Sequence, residues 1–316
     1  MRNTFVDTII NEYKNRDDIF FISGDAGLGV FDEFQEKYPG NFLNMGIAEQ
    51  NMASFSAGLA MTGYKVCLYN IIPFLLYRCY EQIRNDICYQ RLPVVLIGIG
   101  SGVTYAPAGM SHYSVEDIGL ARTLPNLSII SPIDPVEAKL AARYALESEN
   151  PVYIRLAKRG EPNIHADEHF DITRPQVIKK GAEVAILFHG SISAEVMTAY
   201  DELTAKGIYP ALISVPMIQP LNTAVLLEVL AEMKFVISIE EHFVNSGLGD
   251  VLANIYAECR PSWLLQKMGF PYQFIHEIED AASMRKSFGV SGSNIVAKVE
   301  SLLGQDRQGH HQIKMF

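Results

Sequence analysis

Cysteine, basic residues and long apolar runs are all scarce in this sequence. Its 316 residues include four cysteines without a CxxC spacing, which argues against a zinc cluster or a redox pair. Lys and Arg number 26 against 36 Asp and Glu, and the net charge of −10 disfavours binding to nucleic acid or to an anionic membrane surface. No apolar run approaches the roughly 20 residues that span a bilayer. The amphipathic start, MRNTFVDTIINEY, is unlike a signal peptide, so a cytoplasmic protein is expected.

What is present is an alternation of short apolar runs with segments of helical length. Hydrophobic residues make up 48% of the chain, and a chain of this length is expected to form two domains. Runs such as LPVVLIGIG are typical of strands that are buried on both faces of a parallel sheet. The pattern therefore predicts an α/β protein with two doubly wound, mainly parallel sheets. Helices are predicted at 5–13, 47–61, 73–90, 134–148, 194–206 and 224–234.

A polar stretch with no clean period interrupts this alternation near the middle of the chain. It predicts a first domain over 1–165, a linker over 166–180 and a second domain over 181–305. The remaining residues, 306–316, are expected to be a disordered tail or a docking strip.

Three glycines after a predicted strand suggest a dinucleotide-binding turn, but the rest of that motif is missing. The glycines are Gly98, Gly100 and Gly102, and the next glycine of the motif would fall at Val103. No helix starts promptly, and no acid lies about 20 residues further on in the ribose-binding role. A nicotinamide or flavin site is therefore not expected here.

The stretch NMGIAEQNM places an acid, Glu49, among apolar neighbours at a predicted strand–helix junction. An unpaired buried carboxylate is costly unless its pKa rises or a dedicated partner pairs with it. The simpler interpretation is that an acid is favoured by the unpaired N–H groups of a first helical turn. The residues of this stretch alone leave both interpretations open.

Five segments, in order, resemble transketolases and deoxyxylulose-phosphate synthases. They are NMGIAEQNMASFSAGLAMTGYKV, PFLLYRCYEQIRND, LPVVLIGIGSGVTYAPAGMSHYSVEDIGLAR, LPNLSIISPIDPVEA and FVISIEEHFVNSGLGD. The resemblance implies a pyrimidine-binding domain for thiamine diphosphate (ThDP), followed by a transketolase C-terminal-like domain. It covers nearly the whole chain.

The family's motif for the diphosphate is incomplete in this chain. Family members hold Mg²⁺ and the diphosphate with GDG and a later Asn, whereas Gly24-Asp25-Ala26 lacks the third glycine and Asn51 lies in the Glu49 segment. The resemblance thus implies the C-terminal subunit of a split transketolase. A partner subunit that carries GDG–Asn would bind most of the Mg²⁺, and this chain would supply no metal ligands. Active sites between subunits of an α2β2 assembly are expected.

The resemblance also assigns residues to the cofactor. Glu49 would be catalytic and would share a proton with a ring nitrogen of the aminopyrimidine. Phe74 would stack on that ring, with simple core packing as its alternative. The other residues expected around the ring are Tyr77, Ile47 and Ile71.

A second group of residues is expected around the substrate. His112 matches a family histidine that faces the reacting atoms, where it would donate to an alkoxide or shuttle a proton; a structural histidine is the alternative. The histidine and the acid with which transketolases read sugar hydroxyls are replaced here by Gly100 and Ala108. Their loss implies a less hydroxylated, modified or otherwise unusual acceptor.

Basic residues in YIRLAKRG are candidates for a substrate phosphate, and the resemblance does not separate Arg155, Lys158 and Arg159. His242, in EEHFVNSG, is expected to have a structural role in the second domain.

The resulting hypothesis is a subunit of a ThDP-dependent transketolase-like enzyme. It would move a two-carbon ketol unit from a ketose phosphate to an aldehyde or unusual sugar. One alternative is the β subunit of a 2-oxo acid decarboxylating dehydrogenase component, which would release carbon dioxide and pass an acyl group to a carrier. The other is a regulatory or binding subunit without activity, which would tolerate Glu49→Ala.

Overall fold

The computed structural model describes residues 1–14, 16–158 and 160–307, which contain two α/β units, one after the other along the chain. The strands of these residues are β1 (Ile19–Ser23), β2 (Phe42–Asn44), β3 (Lys65–Ile71), β4 (Val94–Ile99), β5 (Ser128–Ile130), β6 (Val152–Leu156), β7 (Gln176–Lys179), β8 (Val184–Phe188), β9 (Ala211–Ser214), β10 (Met217–Gln219), β11 (Phe235–Phe243) and β12 (Leu264–Phe270). The helices are α1 (Arg2–Tyr13), α2 (Asp32–Lys37), α3 (Glu49–Met61), α4 (Tyr80–Gln82), α5 (Asp117–Ala121), α6 (Pro135–Glu147), α7 (Ser193–Ala205), α8 (Thr223–Leu230), α9 (Leu248–Cys259), α10 (Ala281–Ser287) and α11 (Gly292–Arg307).

Both units are built on mainly parallel sheets, which confirms the predicted fold class. The first sheet has the strand order β10-β5-β6-β4-β3-β1-β2, and the second has the order β12-β11-β8-β9-β7. In each sheet one edge strand is antiparallel, β10 in the first and β7 in the second. Apolar clusters cover both faces of each sheet, as the continuous apolar runs predict.

Two short strands lie where the predicted domain boundaries do not place them. β10 comes from the second half of the chain, yet Met217 pairs with Ile130 of β5 and so extends the first sheet. β7 lies inside the predicted linker and pairs with β9. Both are edge strands of three or four residues, too short for their pattern to be recognised in the sequence.

The predicted helix over 73–90 is wrong as a single regular helix. It consists of two π-helical turns, Pro73–Tyr77 and Ile83–Cys88, on either side of the short α4. The N–H of Arg78 donates to the carbonyl of Pro73 (3.2 Å), a bond across five residues. An extra residue is thus accommodated in the helical path, a feature that often accompanies functional sites.

Buried and partly buried hydrogen bonds join the two units. His189 follows β8, and its Nδ1 lies 2.9 Å from the hydroxyl oxygen of Ser131 in the first unit. His242 is fully buried, and its Nε2 accepts the N–H of Gly119 at 3.3 Å. The guanidinium of Arg122 donates to the carbonyl of Ser246 at 2.6 Å. His242 therefore lies at the contact between the units.

None of the helices in residues 1–14, 16–158 and 160–307 combines the length and the apolar character needed to cross a bilayer.

Candidate active site

The candidate site lies at the carboxyl-terminal edge of the first sheet. Strands β1, β2, β3, β4 and β6 are parallel, so their carboxyl ends meet at one edge. In open parallel sheets this edge is where ligands bind. The segments that follow these strands carry Glu49, Phe74, His112 and Lys158.

Glu49 is the first residue of α3 and is buried, with 6% of its surface exposed. Its Oε1 accepts a hydrogen bond from Nη1 of Arg78 at 2.7 Å, so the acid has a dedicated partner. The start of a helix also favours negative charge because its amide N–H groups are unpaired. The two interpretations of the sequence are therefore compatible in the structure.

Arg78 is the residue that sequence reasoning missed. Its side chain is 45% exposed, and its guanidinium carbon lies 4.7 Å from the centroid of the Phe74 ring. The available signal was the spacing of four residues between Phe74 and Arg78, which brings two helical side chains together. The contact with Glu49, 29 residues earlier, has no local signal.

Phe74 lies in the first π-helical turn and is half-buried. One side of its ring faces Arg78, and the Phe74 and His112 rings form a T-shaped pair with 5.2 Å between centroids. Three residues singled out from the sequence are thus connected: Arg78 links Glu49 to Phe74, and Phe74 contacts His112.

The remaining residues expected around the cofactor, Tyr77, Ile71 and Ile47, differ in burial. The Tyr77 hydroxyl donates to Oε2 of Glu116 at 3.0 Å, and burial raises the pKa of Tyr77 well above its ordinary value. Ile71 is half-buried at the end of β3, whereas Ile47 is 80% exposed. Tyr77 is therefore oriented by Glu116, and Ile47 makes little contact with the rest of the chain.

His112 ends a 3₁₀ turn, Met110–His112, in the long segment after β4. Its N–H donates to the carbonyl of Gly109 at 2.9 Å, and its Nδ1 lies 3.0 Å from the Ser111 hydroxyl. Gly109 has a φ of +77°, a conformation that favours glycine. This turn holds the imidazole 5.2 Å from the Phe74 ring, centroid to centroid.

Arg155 is not placed to bind a substrate phosphate, because it is fully buried in β6. Its Nε donates to Oδ2 of Asp117 at 2.7 Å, and its Nη2 donates to the carbonyls of Ser114 and Glu241. The guanidinium thus joins the two units.

Lys158 is half-buried, and its Nζ lies 4.5 Å from the centroid of the Tyr105 ring. Arg159, the third phosphate candidate, lies outside the described residues. Ala108, at the position of the family's acid, is exposed.

In the part of the chain that the structure describes, no group of three or more His, Cys, Asp or Glu side chains is arranged to hold a metal ion. Asp25 of the incomplete GDG motif is exposed and has a φ of +53°. Its N–H donates to Oδ1 of Asn44 at 3.0 Å.

Comparison with known proteins gives the same two-part division. Residues 1–162 match the family described as "Transketolase, pyrimidine binding domain", and residues 174–295 match "Transketolase, C-terminal domain".

Individual relatives match over nearly their whole length. One subunit of the apulose-4-phosphate transketolase of Actinobacillus succinogenes is 34% identical over 96% of this chain and 98% of its own. The 6-deoxy-6-sulfo-D-fructose transketolase subunit of a Clostridium species is 28% identical over 94% and 92%. A solved structure described as "Split gene transketolase, inactive beta4 tetramer" superposes with a TM-score of 0.84 and 28% identity, over 95% of this chain and 97% of that one.

Proposed function

The chain belongs to the transketolase family, and from that premise we propose that it is the pyrimidine-binding subunit of a two-chain, ThDP-dependent transketolase. It transfers a two-carbon ketol unit from a ketose phosphate to an aldehyde or a modified sugar. The observation that carries this proposal is the buried Glu49, whose partner Arg78 lies over the Phe74 ring, which in turn contacts the His112 ring.

The residues of this group suit the aminopyrimidine half of ThDP. Oε1 of Glu49 is engaged by Arg78, while within the described residues its Oε2 accepts no hydrogen bond and is left for a ring nitrogen. The half-buried Phe74 ring offers an aromatic surface for stacking. Ile71, Ile47 and Tyr77 would line the margin of the ring. When bound, ThDP supplies the carbon nucleophile and the electron sink of the reaction.

Glu49 and His112 have different tasks in this proposal. Glu49 holds a proton at the ring nitrogen of the cofactor, and its burial keeps water from competing for that contact. His112 donates a hydrogen bond to, or takes a proton from, the substrate oxygen at the reacting carbon. With Nδ1 beside the Ser111 hydroxyl, Nε2 is the nitrogen that would face the substrate.

The diphosphate and Mg²⁺ are assigned to a partner subunit that carries an intact GDG–Asn motif. The incomplete motif around Asp25, whose N–H is bonded to the Asn44 side chain, supports this division. So does the similarity to the Actinobacillus protein, which is itself one subunit of a transketolase. We propose an α2β2 assembly in the cytoplasm, with each active site between two chains.

Lys158 is the phosphate-binding residue of this proposal. Its ammonium is half-buried at the same sheet edge as His112, whereas the guanidinium of Arg155 is occupied between the units. We propose that the pyrimidine-binding domain spans 1–165 and the C-terminal domain spans 181–305. Strand β10 belongs to the second range but pairs with β5 of the first sheet.

The first test is to capture the partner from native lysate with this chain, ThDP and Mg²⁺ and to identify it by mass spectrometry. The expected partner carries the GDG–Asn motif, and the reconstituted pair transfers a ketol unit from a ketose phosphate without releasing carbon dioxide. Release of carbon dioxide from a 2-oxo acid would overturn the transketolase assignment. A chain that binds ThDP tightly without any partner would overturn the two-chain assignment.

A further inference from the structure

A row of side chains leads away from the Glu49–Arg78 pair along the edge of the first sheet. The His112 ring lies 5.2 Å from the Phe74 ring and 6.0 Å from the Tyr105 ring, centroid to centroid. The ammonium of Lys158 lies 4.5 Å from the centroid of the Tyr105 ring. All four side chains are half-buried, so each keeps some surface open to a ligand. Tyr105 is the member of this row that the proposed function does not use.

The Tyr105 ring occupies the space that a side chain at position 100 would need. A Cβ built on Gly100 would lie 2.5 Å from Cε2 of Tyr105 and nearer still to Cδ2. Gly100 also has a φ of +96°, a conformation that residues with a Cβ rarely adopt. A side chain at position 100 would therefore be strained and would displace the Tyr105 ring, which occupies this space instead.

The position of Tyr105 is well fixed. Its ring packs against the apolar cluster of the first unit, and its carbonyl accepts the N–H of Ala108 in the 3₁₀ turn Ala106–Ala108. Two cations act on it, because Lys158 lies over its ring and the positive charge of Arg2 partly offsets the burial that raises the pKa of Tyr105. An anionic group that binds here would meet positive charge held in place by an aromatic ring.

We propose that Tyr105 is a specificity-determining residue that holds Lys158 in position for a tetrahedral oxyanion, a phosphate or a sulfonate, at the end of the substrate remote from the reacting carbon. The inference rests on the proposed function for the location of the reacting end near His112. Tyr105 supplies one hydroxyl and an apolar ring face. The middle of the substrate therefore meets fewer hydrogen-bonding groups than the family's histidine and acid would provide at positions 100 and 108. Selection therefore depends on the terminal anion more than on the hydroxyls along the sugar.

The test compares three sugars of the same carbon skeleton: fructose 6-phosphate, 6-deoxy-6-sulfofructose and fructose. Their dissociation constants are measured by calorimetry on the full chain, alone and with its partner. The variants are Tyr105→Leu, Tyr105→Phe, Lys158→Met and the double variant Tyr105→Leu with Lys158→Met, and the control is Tyr272→Leu, at a residue that is 75% exposed in the second unit. Where the assembled enzyme turns over, KM and kcat are measured with the same sugars.

We expect the wild type to bind at least one of the two anionic sugars more tightly than fructose. Tyr105→Leu and Lys158→Met should each reduce this preference about tenfold. The double variant should lose no more than Lys158→Met alone, because both substitutions remove the same contact between Lys158 and the anion. Tyr105→Phe keeps the aromatic ring and should therefore retain the preference for the anionic sugar. In turnover, KM for the anionic sugar should rise while kcat stays within about twofold. The anionic sugar with the lower dissociation constant indicates whether a phosphate or a sulfonate is the natural terminal group.

Two results would overturn the inference: a wild type without preference for either anion, or an unchanged preference in Tyr105→Leu. If that variant loses the preference but the assembled chains transfer no ketol unit, the proposed function fails while the role of Tyr105 stands. If ketol transfer occurs and Tyr105→Leu retains the anion preference, the function stands and the role of Tyr105 is wrong.

Discussion

Two arginine–carboxylate pairs in the first unit have the same N–O distance of 2.7 Å and opposite surroundings. In the pair of Glu49 and Arg78 the side chains are 7% and 45% exposed, whereas in the pair of Asp117 and Arg155 both are fully buried. Water reaches the first guanidinium, so that pair can loosen when a ligand takes part of the carboxylate's hydrogen-bonding capacity. The second pair is sealed, that is, fully buried between the units, and the loss of either partner would leave a buried charge unpaired. In the proposed function the same two functional groups thus serve ligand binding in one place, whereas in the other they join the two units.

The sealed pair is stabilised by groups that the open pair lacks. Arg155 also donates to the carbonyls of Ser114 and Glu241, and Asp117 also accepts the hydroxyl of Tyr153 at 2.7 Å. Extra hydrogen bonds of this kind offset the cost of removing both charges from water. Arg78 has a different neighbour, the Phe74 ring, which leaves part of its guanidinium in contact with solvent.

The largest effect is expected from Glu49→Gln, which removes the proton-sharing carboxylate at the open pair. Ketol transfer by the assembled enzyme should fall by about 10²- to 10⁴-fold, the usual contribution of a positioned acid or base. The midpoint of thermal unfolding should hardly change, since a half-exposed pair contributes about 1 kcal/mol or less. Initial rates with ThDP and Mg²⁺, together with thermal unfolding, check both statements. Glu33→Gln, in an exposed pair with Lys37 on α2, is the matched control and should leave the rate unchanged.

At the sealed pair, Asp117→Asn should act on stability instead. It leaves the Arg155 charge buried and unpaired, and we expect a loss of about 3–5 kcal/mol in the free energy of unfolding, measured with urea. Asp250→Asn, which breaks the half-buried pair with Arg122, is the control and should cost about 1 kcal/mol or less, because Arg122 is in contact with solvent and keeps its bonds to the carbonyls of Ser246 and Gly247. Equal losses in the two variants would contradict the distinction between open and sealed pairs.

A third carboxylate, Glu137, sharpens the comparison, because it is sealed like Asp117 and has no guanidinium. Its oxygens accept the hydroxyl of Ser214 (2.6 Å) and the N–H of Ile133 (2.8 Å), and burial raises its pKa from 4.5 to about 7. His165 lies nearby, with its Nε2 3.8 Å from Oε1; burial lowers the pKa of that imidazole, but the hydrogen bond to Asp134 and the charge of Glu137 outweigh burial and raise it.

The folded state therefore binds the Glu137 proton more tightly than the unfolded chain does. Its contribution to stability is complete below pH 4.5 and is lost as the pH rises through about 7. Between pH 5 and 8 the wild type should lose up to about 3 kcal/mol relative to Glu137→Gln. Urea unfolding of both proteins across this range tests the prediction, and parallel curves would show it to be wrong.

The smallest effect is expected at Phe74, which contacts Arg78 of the open pair through its ring. Phe74→Leu keeps an apolar side chain but removes the stacking surface, which is worth about 0.5–1.5 kcal/mol beyond the buried area. The affinity of the assembled enzyme for ThDP should fall by about three- to tenfold, measured by titration calorimetry. Phe274→Leu, at an exposed residue of the second unit, should leave it unchanged. An equal fall in both variants would mean that the effect does not come from the site.

Local pattern was sufficient for much of the fold and for part of the candidate site. The alternation of apolar runs and helical segments predicted two mainly parallel sheets, because the periodicity of burial is visible over ten or fifteen residues. It failed at 73–90, where π-helical turns shift the hydrogen bonds by one residue, and at β10, whose three residues carry no recognisable period. Glu49 was singled out by its apolar neighbours, whereas Phe74 and His112 were assigned through the resemblance to transketolases; Arg78 and the Phe74 ring connect the three in the structure.

The roles of the arginines could not be predicted in this way. Arg155 was a phosphate candidate and Arg78 had no assigned role, yet the first is buried between the units and the second pairs with the acid of the site. Sequence separation is the reason in both cases: Arg155 contacts Asp117 across 38 residues and the carbonyl of Glu241 across 86, and Arg78 contacts Glu49 across 29. Whether a side chain turns inward or outward is a property of its own segment and can be read from periodicity. Whether a charge is paired, sealed or open depends on which distant segments the sheets bring to it, and that depends on the packing of the whole chain.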